Sequence, residues 1–374
     1  MLLICVGGCT PRTPAPTTAP ADPPRLEVAG EYIVPPQTSV DPLNKARFGG
    51  ISGLALDPLT GDLLGVSDDR KESRFFIFRI SGEGPAFRVR LHAYLPLGAA
   101  DAGSPALLDG EGIAITRAGR VYIASEGVQS VEPRLPPAIT IYNRRVDYAG
   151  SLPVPQKFIP APTGAVTRGV RPNAGFESLS ITADERTLIT ATEQPLVQDG
   201  EPSSADRGAI IRILEYVTVK GSFSPAREFA YQIDALPQTP FATRTSECGV
   251  VEVLAIRASD LLVMERCFAR EAAPGSRTQV RIRIYRASLN GASDVSGYES
   301  LPPRPQPARK ALLLDLSTIG AALSPELRAL DNFEGMGFGP ALADGSRSLL
   351  LVSDDNFSKE QRTAFLLFRI RGEL

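Results

Sequence analysis

The amino-acid sequence predicts an all-β fold, a β-propeller of five four-stranded blades. Three observations lead to this prediction. A pattern of strand, short turn and strand recurs five times along the chain, at intervals of roughly 60–80 residues, which is typical of propellers. Turn-forming residues are abundant, with 33 Gly and 33 Pro among 374 residues. The first strand of each repeating unit also alternates large with small side chains.

We call each repeating unit a tile. The tiles open with Gly50–Asp57, Asp109–Thr116, Gly175–Thr182, Gly249–Ile256 and, within the fifth tile Asp331–Phe357, a short strand that contains Glu334. The second strands of the first four tiles are predicted at Asp62–Val66, Val121–Ala124, Leu188–Ala191 and Leu261–Met264. Third strands are predicted at Phe75–Ile80, Ile139–Asn143, Ala209–Leu214, Val280–Tyr285 and Phe365–Ile370.

A fourth strand is expected after each of the first four tiles, for example at Phe87–Leu97 and Ala311–Leu316. The fifth tile reaches the end of the sequence after its third strand. We therefore expect the early strand Arg25–Val34 to join blade five as its outer strand, which closes the ring and removes exposed strand edges. A sixth blade within Lys220–Gln238 or Leu301–Leu330 is the alternative.

The alternation in the first strands explains how neighbouring blades could pack around a channel. Large residues such as Leu54, Ile113 and Met336 are separated by small ones such as Gly53 and Gly112. Successive side chains of a strand point to opposite faces. Where inner strands crowd together, large residues of one blade can therefore meet small residues of the next.

The predicted propeller domain occupies residues 25–374. Residues 1–9 are apolar and resemble the end of a bacterial lipoprotein signal, in which Val6–Cys9 is the lipobox and Cys9 the lipidated residue. An ordinary apolar N-terminus is the alternative. Residues 10–24 are rich in Pro, Thr and Ala and predict an extended tether. We thus expect an exported monomer in the bacterial cell envelope, in contact with the membrane through the lipid anchor alone.

Two further cysteines flank the predicted strand pair of the fourth tile. Cys248 precedes the first strand and Cys267 follows the second. These ends are neighbours in an antiparallel pair, so the two cysteines are expected to form a disulfide bond, which suits an exported protein. Two buried thiols are the alternative.

The tiles place acidic residues at one mouth of the predicted channel. The start of each first strand and the end of each second strand should lie on the same face. The start positions are Ser52, Glu111, Glu177, Glu252 and Glu334, and the end positions are Asp68, Glu126, Glu193, Glu265 and Asp354, with Asp69 and Asp355 following in two tiles. Negative charges this close together repel one another, so we expect a bound cation to offset the repulsion. A site built from many carboxylate oxygens favours Ca²⁺. The alternative is that single acids accept backbone hydrogen bonds.

Three basic residues, Arg70, Arg266 and Lys359, lie just beyond strand ends on the same predicted face. They are candidates for neutralising the acids or for binding a phosphate or carboxylate group of a substrate. Ordinary surface positions are the alternative.

Other classes of chemistry are excluded by composition. The one histidine, His92, lies in a predicted outer strand, which disfavours a Ser-His-Asp triad and a histidine-rich zinc site. The formal net charge of −2 offers no basic field for nucleic acid.

The ordered motifs of the tiles resemble the bacterial "esterase-like activity of phytase", or phytase-like, family. The matching stretches are Phe48–Ala55 with Ser67–Arg70, Asp109–Ile113 with Ser125–Glu126, Gly175–Leu179 with Thr192–Glu193, and Asn332–Met336 with Ser353–Asn356. The resemblance implies an exported propeller that hydrolyses small-molecule phosphoesters or esters. It implies no defined catalytic residues.

Three hypotheses about function follow. The first is a Ca²⁺-dependent phosphoesterase, in which the metal polarises the phosphoryl oxygen and activates water. The second is a non-catalytic binding propeller of the cell envelope. The third is a metal-dependent lactonase or esterase that uses the same ring of acids.

Overall fold

Strands form nearly all the regular structure of the protein. The computed structural model describes residues 23–374 apart from 36–37, 39–46, 98–104, 106, 205, 237–242 and 273–277. The expected lipidation site, Cys9, and most of the tether lie outside the described residues. The part of the chain that is described includes no helix with the length and apolar character of a membrane-spanning segment.

Among the described residues, twenty strands and five short 3₁₀ turns follow one another. The strands are β1 (Arg25–Ile33), β2 (Ile51–Leu56), β3 (Leu63–Ser67), β4 (Arg74–Ser81), β5 (Arg88–Pro96), β6 (Gly110–Ile115), β7 (Val121–Ser125), β8 (Ala138–Tyr142), β9 (Tyr148–Leu152), β10 (Ser180–Ile181), β11 (Thr187–Ala191), β12 (Ala209–Val219), β13 (Ser222–Ile233), β14 (Thr243–Arg257), β15 (Asp260–Glu271), β16 (Thr278–Ser288), β17 (Arg309–Asp315), β18 (Phe333–Phe338), β19 (Ser348–Ser353) and β20 (Ala364–Arg371). The turns are Gln156–Phe158, Val197–Asp199, Leu316–Thr318, Gly320–Ala322 and Pro325–Leu327.

The strands assemble into five antiparallel sheets of four, so the predicted five-bladed propeller is confirmed. Blades one to four are β2–β5, β6–β9, β10–β13 and β14–β17, each in sequence order. Blade five has the order β1-β20-β19-β18. The N-terminal strand therefore closes the ring as predicted, pairing Arg25 with Arg371 at one end and Ile33 with Ala364 at the other.

The core of the propeller is divided among the spaces between neighbouring blades. Five clusters of buried apolar side chains fill these spaces. Between blades one and two, for example, Val66 and Phe75 belong to the same cluster as Ile113 and Ile123. Burial of apolar surface is the dominant driving force of folding. Packing between blades therefore holds the ring together.

The inner strands approach one another closely at the small residues. A Cβ atom built on Gly53 of blade one would lie 2.4 Å from the Glu111 carbonyl oxygen of blade two. One built on Gly112 would lie 2.3 Å from the Leu179 nitrogen of blade three. This backbone contact is the physical reason for the alternation of large and small residues in the sequence.

A β-bulge near the start of each long inner strand sets the direction of the side chains. The extra residue is Ser52 in blade one, Glu111 in blade two and Glu334 in blade five. A bulge locally bends the strand and re-aims a side chain. In the third blade, the equivalent position is Glu177, which follows an isolated bridge between Phe176 and Thr192.

The fourth tile is offset by one residue from the alignment that its sequence suggested. In blade four, Val250 pairs with Glu265 and Glu252 pairs with Met264, so the bulge residue is Val251. Because side chains alternate faces, a one-residue offset sends each side chain to the opposite side of the strand. The offset decides which residues of this blade enter the functional site.

The disulfide between Cys248 and Cys267 is confirmed, although the cysteines lie within strands rather than beyond their ends. The two residues face each other across β14 and β15, with Cα atoms 4.0 Å apart. Both side chains are fully buried. The bridge therefore joins the two inner strands of blade four.

The close packing of inner strands predicts a sharp difference between two glycines. We expect Gly112→Ala to lower the free energy of unfolding by about 1–3 kcal/mol, because the new methyl group meets the backbone of blade three. Gly297→Ala is the control, since a Cβ there has nothing within 4 Å. Chemical denaturation of both variants measures the difference. Equal stability of the two variants would contradict the packing described here.

Candidate metal centre

Two positions in every blade build an acidic ring at one end of the central channel. The bulge positions, in blade order, are Ser52, Glu111, Glu177, Val251 and Glu334. The second position lies just after the end of the second strand in four blades and within the longer strand β15 in blade four. In blade order, its residues are Asp68, Glu126, Glu193, Arg266 and Asp354. The ring thus contains seven acids and one arginine.

Three acids of blade two form a tight group. Asp109, Glu111 and Glu126 can each offer a carboxylate oxygen such that all three oxygens lie within 4.8 Å of one another. All three residues are buried, with exposures of 1%, 8% and 4%. We call this group the triad. Carboxylate oxygens are the preferred ligands of hard divalent cations such as Ca²⁺.

Asp109 was not among the acids that the sequence analysis assigned to the site. It lies two residues before the bulge residue of its blade. The other blades have Gly50, Gly175, Gly249 and Asn332 at this position. The sequence did contain one indication of its role: Asp109 is an acid at a position where the other four tiles have glycine or asparagine.

Two of the glycines at this position, Gly175 and Gly249, make room for the acid of the preceding blade. A Cβ atom built on Gly175 would lie 2.5 Å from Glu126 Cβ. One built on Gly249 would lie 2.4 Å from Glu193 Cγ. The ring therefore depends on glycine at positions where a neighbouring carboxylate side chain passes.

Burial and mutual repulsion raise the pKa values of several ring carboxyls. Burial, with the charges of Asp109 and Glu126, holds the pKa of Glu111 well above its usual range. Burial, with the charge of Glu126, does the same to the pKa of Glu177. The pKa of Asp354 is raised in the same way, by burial and then by the charge of Glu334.

Three further carboxyls titrate within reach of physiological pH. Burial, then the charge of Glu334, raises the pKa of Asp68 to about 7. Burial, then the hydrogen bond with Asp109, raises the pKa of Glu126 to about 9. Burial also raises the pKa of Glu193 to about 7, although Arg266 opposes this shift. At neutral pH the ring must therefore hold protons or a cation.

The ring fits a bound divalent cation. The Oδ1 atom of Asp68 is buried and has no hydrogen-bond partner among the described residues. The Oγ atom of the bulge residue Ser52 is also buried without a hydrogen-bond partner among the described residues. Buried polar atoms are rarely left unpaired in proteins. A hard cation near the triad would offer such oxygen atoms a partner and offset the repulsion among the acids.

Two arginines supply internal positive charge. Arg70 Nε donates to Asp109 Oδ2 at 2.6 Å, and Arg70 Nη2 donates to Glu126 Oε1 at 3.3 Å. On the other side of the ring, Arg266 Nη2 donates to Glu193 Oε1 at 3.1 Å. Arg266 Nη1 also donates to Glu334 Oε1 and to the side chain of Asn332. Both arginines therefore contact ring carboxylates in this structure.

Glu252 does not join the acids of the ring, because it lies one residue beyond the bulge. Its side chain is 2% exposed. The backbone N–H groups of Val253 and Met336 donate to its two carboxylate oxygens at 3.0 and 3.4 Å. Burial holds the pKa of Glu252 well above its usual range. Its hydrogen bonds link blades four and five. Glu252 therefore accepts backbone hydrogen bonds, as the sequence analysis considered for single acids.

Glu265 also lies away from the ring, because the same offset turns it to the other face of blade four. Tyr231 donates to Glu265 at 2.8 Å and Lys310 Nζ donates at 2.5 Å. Arg283 lies 3.7 Å from its carboxylate. Arg266 occupies the ring position that the sequence alignment gave to Glu265. The blade thus contributes a cation where the other four contribute acids.

The remaining predicted residues have local roles or lie at the surface. Asp69 accepts a hydrogen bond from Arg74 at 2.9 Å. Asp355 accepts from the Gly50 N–H at 3.0 Å and so links blades five and one. Lys359 is exposed, outside the residues that line the two cavities described next.

Two cavities adjoin the ring on the side of Arg266. One has a volume of about 620 Å³ and is lined in part by Glu193, Gln194 and Ser203. The other has a volume of about 1010 Å³ and is lined in part by Glu334 and Arg270. Both are lined by Asn173, Arg266, Phe268, Val280 and Asn332. We call the two together the cleft. It is large enough for a small organic ligand beside the acids.

The raised pKa values predict how stability depends on pH in the absence of metal. A carboxyl with a raised pKa binds more protons in the folded than in the unfolded state, so its stabilising effect is lost as pH rises through the folded pKa. With pKa values of about 7 for Asp68 and Glu193 and about 9 for Glu126, we expect the melting temperature of chelator-treated protein to fall steadily from pH 5 to pH 9.

A variant and a control make this prediction specific. Glu126→Gln should flatten the upper part of the profile, because the glutamine does not titrate. Glu373→Gln removes an exposed acid that follows β20, at the end of blade five opposite to the ring, and should keep the wild-type slope. Differential scanning calorimetry across the pH range gives the profiles. A wild-type melting temperature that is flat or rises over this range would contradict the pKa shifts.

Two solved structures are similar to the protein at low sequence identity. The protein is similar to a candidate glycosidase from Bacteroides thetaiotaomicron, with 10% identity and a TM-score of 0.38 over 90% of this chain and 93% of that chain. It is also similar to apo AztD from Citrobacter koseri, with 12% identity and a TM-score of 0.28 over 94% and 98% of the two chains. Scores this low support no argument about function.

The comparisons with sequences identify the family. Among curated proteins, none is similar enough in sequence to count as a match. The family model described as "Phytase-like: Esterase-like activity of phytase" matches residues 46–357. This range includes the whole acidic ring, the disulfide and the inner strands of all five blades. The chain therefore belongs to the phytase-like family, as its tile motifs indicated.

Proposed function

We propose that the protein is a divalent-cation-dependent hydrolase that acts on phosphoester or ester bonds of a small molecule at the acidic ring. The observation that carries this proposal is the triad, in which three buried carboxylates converge within 4.8 Å. Such a group is costly without a cation and is well suited to hold one. Membership of the phytase-like family supports the reaction class.

The residues suited to hold the cation are Asp109, Glu111 and Glu126, with the unpaired oxygen of Asp68 nearby in the ring. Calcium is our choice of metal, since the ligands are all oxygen atoms. When bound, such an ion polarises a phosphoryl or carbonyl oxygen and lowers the pKa of water. The more distant acids, Glu177, Glu193, Glu334 and Asp354, complete the negative field around it.

Glu193 is the residue best suited to transfer a proton. It lines the smaller cavity of the cleft, and its pKa is raised to about 7. A carboxyl that titrates near neutral pH can act as a general acid or base. Arg266 donates to it and so fixes its orientation toward the cleft. In this arrangement Arg266 positions Glu193, while the cleft binds the rest of the substrate.

The location of the protein in the cell envelope is part of the same proposal. A buried disulfide is typical of exported proteins. The lipobox-like Val6–Cys9 and the Pro-rich tether suit attachment to a membrane through a lipid. We infer an exported, monomeric enzyme that meets small-molecule substrates outside the cytoplasm.

A non-catalytic binding propeller is the second candidate function. The observation in its favour is that Arg70 and Arg266 already neutralise part of the ring. In that case the acids would stabilise the fold and the cleft would bind a ligand without turnover. The two candidates differ in whether a reaction takes place, and a metal-dependent esterase or lactonase differs from a phosphoesterase in substrate alone.

Calcium binding should depend on the triad. We expect Glu111→Gln and Glu126→Gln each to weaken Ca²⁺ binding at least about tenfold, since even groups that act behind the ligands contribute this much. Glu247→Gln, which removes the same charge from the same face, should change the affinity less than about twofold. Isothermal titration calorimetry on the metal-depleted proteins measures this. Equal loss in all three variants would show a general charge effect in place of a site.

Turnover should require the metal. We expect the purified protein to hydrolyse at least one substrate from a set of chromogenic phosphomonoesters, carboxylic esters and lactones. Chelator should abolish the activity and Ca²⁺ should restore it. Turnover that survives chelation would contradict the proposed role of the metal. Calcium binding without turnover of any substrate class would favour the binding propeller.

A further inference from the structure

Arg70 lies across the entrance to the triad. Its guanidinium donates to Asp109 Oδ2 at 2.6 Å and to Glu126 Oε1 at 3.3 Å. The two acids are almost fully buried, with side-chain exposures of 2% and 4%, whereas the arginine side chain is 39% exposed. The contact therefore joins buried acids of the triad to a cation at its outer surface.

The guanidinium binds carboxylate oxygens of two of the three acids of the triad. Glu126 uses both of its oxygens, since Oε2 accepts from the Gly175 N–H at 3.2 Å while Oε1 accepts from Arg70. Asp109 uses Oδ2 in the 2.6 Å contact. Hydrogen bonds between charged groups are shorter and stronger than those between neutral groups. Arg70 thus acts as an internal cation of the triad in this structure.

The same guanidinium already reaches the cleft. Arg70 Nη2 also donates to Asn173 Oδ1 at 2.8 Å. Asn173 lines both cavities of the cleft. A small rotation of the exposed arginine could exchange its acidic partners for a partner in the cleft while keeping the contact with Asn173.

We propose that a divalent cation entering the triad displaces Arg70, and that the released guanidinium then binds an anionic group of the ligand in the cleft. The inference rests on the metal site of the proposed function. It makes metal binding and anion binding interdependent, because each favours the conformation in which Arg70 has left the triad. Such coupling is reciprocal between the two ligands.

The other arginine of the ring has a different role. Arg266 is 22% exposed and bonds to Glu193, Glu334 and Asn332 on the opposite side of the ring. None of these three partners belongs to the triad. Displacement is therefore expected for Arg70 and not for Arg266.

Calcium titration of two variants tests the displacement. Using the full-length, metal-depleted protein and Ca²⁺ alone, we expect Arg70→Gln to bind Ca²⁺ at least about tenfold more tightly than the wild type, because the competing hydrogen bonds to charged groups are lost. The matched control is Arg171→Gln. Arg171 lines the cleft and donates to the backbone carbonyls of Pro195 and Gly200, not to an acid of the triad. This variant should change the affinity less than about twofold.

Chemical labelling of arginine side chains gives a second, independent measurement. We expect a dicarbonyl reagent to modify Arg70 several-fold faster when Ca²⁺ is saturating, as read by peptide mass spectrometry. The rate at Arg171 should not change. A purely electrostatic effect of the lost charge would raise Ca²⁺ affinity in Arg70→Gln without changing the labelling of Arg70 in the wild type.

The outcomes separate this inference from the proposed function. If Ca²⁺ binds the wild type and Arg70→Gln equally well, or if Arg70 is labelled at the same or a lower rate with Ca²⁺, the displacement is overturned and the metal site stands. If neither protein binds Ca²⁺, the metal site itself is overturned, and the displacement with it.

Discussion

Repulsion among buried carboxylates is the constraint on which the rest of this structure depends. Five inner strands crowd around one channel, and seven acids from the bulge positions and the ends of the second strands meet there. Burial prevents water from screening these charges, so the pKa values of Glu111, Glu177 and Asp354 are held well above their usual range. Protons, arginines or a metal must supply the compensation. The blades can meet at this point because glycines such as Gly112 and Gly175 leave room for backbone and side chains.

The ring is asymmetric because blade four differs from the others by one residue. Its bulge residue is Val251 and its ring residue is Arg266, so this side of the ring is neutralised from within. Blade two differs in the opposite way, since Asp109 adds a third carboxylate where other blades have glycine or asparagine. A propeller with nearly equivalent blades thus has three clustered carboxylates on one side of the ring and an arginine beside the cleft on the other.

The sequence alone was sufficient to predict the five blades, the closing strand β1, the disulfide and the location of most ring acids, because each depends on local patterns that repeat. It could not reveal the offset in blade four. The run Gly249–Ile256 offers Val250, Val251 and Glu252 as successive candidates for the bulge, and only pairing with β15 decides among them. The partners of Arg70 could not be predicted either, since Arg70 belongs to blade one while its partners come from loops of blades two and three. Asp109 is part of the motif of the second tile, but the strand-start position of that tile was assigned to Glu111, so Asp109 was not included in the site.

The central claim is that the acidic ring holds a divalent cation at the triad. The most direct measurement is an anomalous difference map from crystals soaked in Mn²⁺ or a lanthanide, either of which takes oxygen ligands and scatters strongly. We expect a peak among the carboxylates of Asp109, Glu111 and Glu126, with Arg70 moved from its present partners. A map without a peak in the ring, from crystals soaked at saturating metal, would contradict the account and leave the acids neutralised by protons and arginines alone.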